Sequence, residues 1–252
     1  MIATPQPFII REECEKVAFQ KGFRRHLGES QGWSAFASTT ARGTINLAAA
    51  GIHGPWFLAL DHEGVIAELD LPVANMPGPG KGRYAFAVLG ELYAALDRVY
   101  ALSVSLPDAP LREFQSLVAG LPRSTEAERL VVQRIGQDVF RARLVDYWQG
   151  RCPLTGIPDT ALLRASHIKP WKDCDTDAER LDVHNGFLLS ALWDASFDRG
   201  LVTFDESGLP AFAEALSELA RNQLRWNGPI PLVARHEAYL AWHRENVFVL
   251  TV

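Results

Sequence analysis

The spacing of apolar residues changes at Gly150, and that change demands a chain built from unlike parts. From Thr125 onward, Val132, Ile135, Val139 and Trp148 recur at helical spacing, and Thr125 with Glu128 has the spacing of a capping box. The pattern predicts one helix of about 24 residues ending at Gly150. Gly136 sits inside it at a cost of about 1 kcal/mol relative to Ala, so either the helix breaks there or something packs closely against it. Past Gly150 the apolar runs are short. LLRASHI (162–168) and FLLS (187–190) read as strands separated by a polar loop, and SALWDASFD reads as a short helix stopped by Arg199 and Gly200. LVTF and a DESG turn begin another hairpin, and helices near Pro210 to Asn222 and Leu232 to Arg244 supply apolar cover. The fold class is therefore α+β.

The amino-terminal half reads as a mixed α/β domain. GPWFLALDHEGVIAELDLP (54–72) suggests two strands joined across Asp61 to Gly64. MPGPGKGRY (76–84) holds too many Gly and Pro for a regular element and reads as a mobile loop; its GPGKG lacks P-loop spacing and a preceding strand. The run from Tyr84, YAFAVLGELYAALDRVYALSV, fits a helix buried on one face. LPDAP (106–110) and LPRS (121–124) bracket a short helix, LREFQSLVAG, which reads as a helical connector, and the boundary is placed near residue 120. Residues 1–120 are then a recognition or sensor domain, and 121–252 a second domain that includes its lead-in helix.

Charge and cysteine usage narrow the function classes. Lys and Arg number 25 against 30 Asp and Glu, a net charge of −5, so a polyanion would need a local basic patch. Between Leu121 and Lys172 there are nine basic and five acidic residues, which supplies one. Arg134, Gln137 and Arg141 share one helical face, and Arg164, Lys169 and Lys172 follow. Trp171, between Lys169 and Lys172, would either stack on a base or anchor its loop to the core. Cys14, Cys152 and Cys174 are too scattered for a disulfide framework, no membrane span is legible, and the expected compartment is cytoplasmic.

RCPLTG (151–156), LLRASHIKPW (162–171), RLDVHNGFLLS (180–190) and LWDASFDRGLVTF (192–204) together resemble the HNH nuclease family. RIGQDVFR (134–141) resembles the stretch that leads into this domain in restriction-associated proteins. The resemblance implies a ββα-metal fold that hydrolyses DNA phosphodiester bonds with a divalent ion, in a bacterial restriction or defence setting. It makes His167 the general base, Asn185 the residue that ties down the loop and orients it, and Asp194 the helix-borne metal ligand. Asp198, one turn after Asp194, is a second candidate ligand. A hard ion such as Mg²⁺ or Mn²⁺ suits carboxylate oxygen, with Zn²⁺ or Ni²⁺ the other divalent candidates. Many family members carry an acidic residue or histidine directly before the catalytic histidine; here it is Ser166. That departure keeps alive an inactive DNA-binding or ligand-sensing module on the same scaffold. His184 reads as a solvated loop residue or a phosphate contact, and Cys152 and Cys174 as packing residues. RNA is the alternative polymer, no membrane is expected, and cleavage of a duplex by a single-strand site would call for a homodimer.

Overall fold

In the computed structural model, which describes residues 2–248, the chain divides into two compact units, Met1–Ala109 and Pro110–Val252. The first is built on five antiparallel strands in sequential order: β1 (Arg25–Ser30), β2 (Trp33–Ala37), β3 (Thr44–Ala49), β4 (Trp56–Leu60) and β5 (Gly82–Phe86). Helix α1 (Phe8–Gln20) buries Ile10, Cys14, Val17 and Ala18, and α3 (Leu89–Ser105) buries Leu92, Leu96, Val99 and Leu102. β4 is buried along its whole length, whereas β1 is exposed along its own.

Two readings of this half are corrected. The second strand expected after Asp61 is instead α2 (Glu63–Glu68): the His62 ring accepts from Val65 N (3.3 Å) and caps it. β4 finds its partner in β5, which takes the first residues of the helix expected from Tyr84. The glycine-rich loop is also clamped. Arg83 donates to the carbonyls of Gly78, Pro79 and Gly80 (3.3, 3.3 and 3.0 Å), and Lys81 pairs with Glu63.

The second unit begins at Pro110, within α4 (Ala109–Leu117), ahead of the boundary expected near residue 120. Its Glu113 takes a two-pronged pair from Arg143 (2.9 and 3.1 Å) of α5 (Glu126–Tyr147), and its Phe114 lies against Gly136. The expected capping box opens α5: Glu128 N donates to Thr125 Oγ1 (3.2 Å) and Thr125 N to Glu128 Oε2 (2.9 Å). Then come β6 (Leu163–His167), a loop containing α6 (Asp177–Arg180), β7 (Gly186–Ser190) and α7 (Ala191–Asp198). β6 and β7 pair antiparallel with His167 opposite Gly186, and α7 packs back on both. A second hairpin, β8 (Val202–Phe204) and β9 (Pro210–Phe212), precedes α8 (Glu218–Gln223) and α9 (Ala234–Asn246). The single helix expected from Pro210 to Asn222 is thus a strand and a shorter helix, because Asp205 Oδ1 takes the N–H groups of Ser207 and Leu209 (both 2.9 Å) and closes a hairpin turn. Among the described residues no helix is long and apolar enough to cross a membrane.

α5 runs unbroken through Gly136, so of the two alternatives close packing is the one adopted. A Cβ there would lie 2.5 Å from Cη2 of Trp171. Gly186 plays the matching role on β7, where a Cβ would lie 2.5 Å from Cζ of Phe140. The two glycines let α5 lie directly on the loop and the hairpin. The Gly136→Ala variant gains about 1 kcal/mol of helix propensity but meets overpacking of about 1–3 kcal/mol, so its thermal unfolding midpoint falls below that of the parent. A raised midpoint would show that Trp171 does not sit against α5.

Candidate active site

His167 ends β6, and three neighbours hold its ring. Phe140 of α5 stacks on it (centroids 3.7 Å, 15° between planes), Trp171 meets it edge-on (5.7 Å, 89°), and Nε2 lies 2.9 Å from the Arg180 carbonyl oxygen. A carbonyl only accepts, so Nε2 carries the proton and Nδ1 of the neutral ring is left with its lone pair. Burial lowers the pKa to about 4, although the Arg180 carbonyl works in the opposite direction. The imidazole is therefore neutral at pH 7.

The loop between the strands exists in this shape because its polar groups are paired internally. Asn185, wholly buried, accepts from Lys169 N (2.8 Å) and donates to Lys169 O (3.2 Å), Glu179 O (3.1 Å) and Cys174 Sγ (3.3 Å). Arg180 donates to Trp171 O (3.2 Å), Cys174 O (2.5 Å) and Asp177 (3.0 Å), with its guanidinium over the Trp171 ring. One residue thus holds the histidine through its carbonyl and the neighbouring tryptophan through its side chain.

On α7, Asp194 and Asp198 stand one turn apart, and Ser166 Oγ donates to Asp198 Oδ1 (3.3 Å) and is also hydrogen-bonded to Asp194. Burial raises both carboxyls, and for Asp198 the neighbouring Asp194 adds to the rise. Asp198 and His167 both line a cleft of about 730 Å³. Asp194, half-buried, is not among the residues that line it.

A strand ending in a histidine, a second strand opened by a buried asparagine, and a helix carrying carboxylates occupy residues 163–198. The HNH endonuclease family model matches residues 152–205. This segment is an HNH endonuclease domain. No individual curated protein matches the chain.

Within the HNH domain the donors that could hold an ion are few. Among the described residues no three His, Cys, Asp or Glu side chains gather closely enough to form a complete cage. Two carboxylates one helical turn apart, both raised by burial and with Asp194 adding to the rise of Asp198, do fit a hard ion such as Mg²⁺ or Mn²⁺, which commonly keeps several waters and takes only one or two carboxylates beside a substrate phosphate. The softer ligands that would favour Zn²⁺ are spent elsewhere. Cys174 is buried in the loop, where burial pushes its thiol upward, and Cys152 is likewise buried and free.

The expected basic residues divide. Arg134 and Gln137 are exposed on α5 and Lys172 is exposed on the cleft. Arg141 donates to the Leu163 and Thr160 carbonyls (3.0 and 3.1 Å), Arg164 to those of Ala161 and Leu163 (3.0 and 3.1 Å), and Lys169 pairs with Asp175 and Glu179 (3.3 and 3.2 Å). These three hold the HNH domain together. The solvated reading of His184 is overturned: it is wholly buried, with Nδ1 2.7 Å from Asp182 Oδ1. Arg180, Arg199 and Trp242 escaped the sequence reading. Only Arg199, beside the carboxylates of α7, carried a local signal.

A second buried imidazole, His243 of α9, stacks on Phe197 and is also lowered to about 4, first by burial. Both histidines titrate near 6.5 when unfolded, so the unfolded chain binds more protons between 6.5 and 4. Stability is complete above that window and is lost as pH falls through it. Urea midpoints measured from pH 7.5 down to 4.5 should drop steeply, and less steeply in His243→Gln. A flat profile would contradict the burial of these rings.

Proposed function

We propose that the protein is a divalent-metal-dependent endonuclease that hydrolyses DNA phosphodiester bonds. The observation that carries this reading is the free Nδ1 of a neutral His167, aimed by the Arg180 carbonyl in a cleft that Asp198 also lines. His167 Nδ1 takes a proton from water as its oxygen attacks phosphorus; the bond from phosphorus to the leaving oxygen breaks, and that oxygen is protonated from solvent. The Arg180 carbonyl supports the imidazolium that forms, and the incoming phosphate raises the histidine's affinity for the proton. When bound at Asp198 and Asp194, a divalent ion would supply charge neutralisation at the phosphate and the leaving oxygen. Asn185 keeps the loop, and with it the Arg180 carbonyl, in register.

We assign choice of target to residues 1–109 and place the protein in the cytoplasm in a restriction or defence role. The support for that setting is the resemblance of residues 134–141 to the lead-in of restriction-associated members. Cutting both strands would take two copies, since one ββα site meets one strand at a time.

His167→Ala is expected to reduce plasmid cleavage in Mg²⁺ or Mn²⁺ by about 10²–10⁴-fold while leaving DNA binding largely intact, and EDTA to abolish cleavage. Asp198→Asn should raise the metal concentration needed for half-maximal cleavage more than Asp194→Asn does, because Asp198 lines the cleft. Undiminished cutting by His167→Ala would remove it as the base. Ser166, standing where many relatives carry a ligand, favours a second reading, a DNA-binding module without turnover; metal-insensitive binding with no cuts would establish that instead.

A further inference from the structure

The far wall of the cleft is made by α9, which lies outside the matched segment 152–205 and contributes Trp242 and Asn246. Trp242 differs from Trp148, Trp171 and Trp193 and shares its lack of a ring partner with Trp226, which is exposed but does not line the cleft. Trp148 and Trp193 donate their indole N–H to the carbonyls of Gly186 and Arg225 (3.3 and 3.0 Å), and Trp171 packs on Gly136 beneath Arg180. Trp242 is only half-buried, and among the described residues its ring meets no aromatic or cationic partner and its N–H no acceptor. The cleft's two cations show the same contrast. Arg143, Lys169, Arg180 and Arg244 are all in ion pairs, whereas Lys172 and Arg199 are exposed on the cleft and in no ion pair among the described residues.

An unstacked indole beside two cations outside any close ion pair, Arg199 acting on Asp198 only through space, in the cleft that holds the candidate base, calls for a ligand with a flat face and negative charges. Resting on the nuclease reading of that cleft, we propose that it takes an unpaired strand of DNA. Trp242 stacks on a base next to the scissile phosphate, and Lys172 and Arg199 meet phosphates. Bases within an intact duplex are already stacked on their neighbours and offer an indole no free face. An unpaired strand can present a base without first breaking a pair, and the cleft's volume of about 730 Å³ is that of a pocket for a small ligand.

Fluorescence anisotropy of the full chain in EDTA, with a labelled single strand, its duplex and the matching RNA, tests this without any cleavage. The single strand should bind about tenfold more tightly than the duplex, and Trp242→Ala should remove about that factor for the single strand alone. Trp242→Phe should keep most of the affinity that Trp242→Leu loses, which separates stacking from bulk or folding. Lys172→Ala and Arg199→Ala should each lower the salt slope by about one. Duplex binding equal to the single strand, a preference for the RNA, or Trp242 variants that weaken every ligand alike or none would overturn the proposal. If the chain cuts nothing in Mg²⁺ yet keeps a Trp242-dependent strand preference, the nuclease reading fails and this one stands. If it cuts with no strand preference, the reverse holds.

Discussion

The bond from His167 Nε2 to the Arg180 carbonyl decides which ring nitrogen can accept a proton, and much of the surrounding loop is organised to keep that carbonyl where it is. Asn185 satisfies both the N–H and the C=O of Lys169 and reaches Glu179, next to Arg180. The Arg180 side chain then binds the carbonyls of Trp171 and Cys174, so the loop is closed from within. Buried polar groups of this kind are costly when unmatched, which is why such a loop has one stable arrangement and the histidine one orientation.

Close approach of α5 completes the setting. Phe140 can lie flat on His167 because β7 opens with a glycine beneath the phenyl ring, and Trp171 can reach the ring edge because α5 carries a glycine where the indole rests. Each glycine sacrifices some intrinsic stability of its own element to bring aromatic surface against the imidazole. The same packing removes water from the ring and lowers its basicity.

Electrostatics in this unit follow a division of labour. Arg141, Arg143, Arg164 and Lys169 bind carbonyls and carboxylates within the fold, and the basic stretch that looks like one patch in the sequence is largely internal scaffolding. Charge available to a ligand is what remains after those pairs are made, and on the cleft that is Lys172 and Arg199. The protein as a whole is acidic, so attraction to a polyanion is confined to such places.

The order of strand, loop, strand and helix in residues 162–198, and the cap of α5, were legible because each rests on residues a few positions apart: Thr125 with Glu128, the short runs ending at His167 and Ser190, the stop at Gly200. α2 was misread as a strand, since its cap is a histidine side chain, and the start of β5 as helix, since its strand character comes from pairing with β4. His184, the carbonyl-bound arginines and the place of α9 at the cleft could not be read at all. Residue types and their spacing were enough to name the side chains capable of the chemistry. The fold settles which nitrogen of His167 is free, which carboxylate opens on the cleft and which cations stay outside close ion pairs among the described residues, because burial and hydrogen bonding are set by residues far apart in the chain.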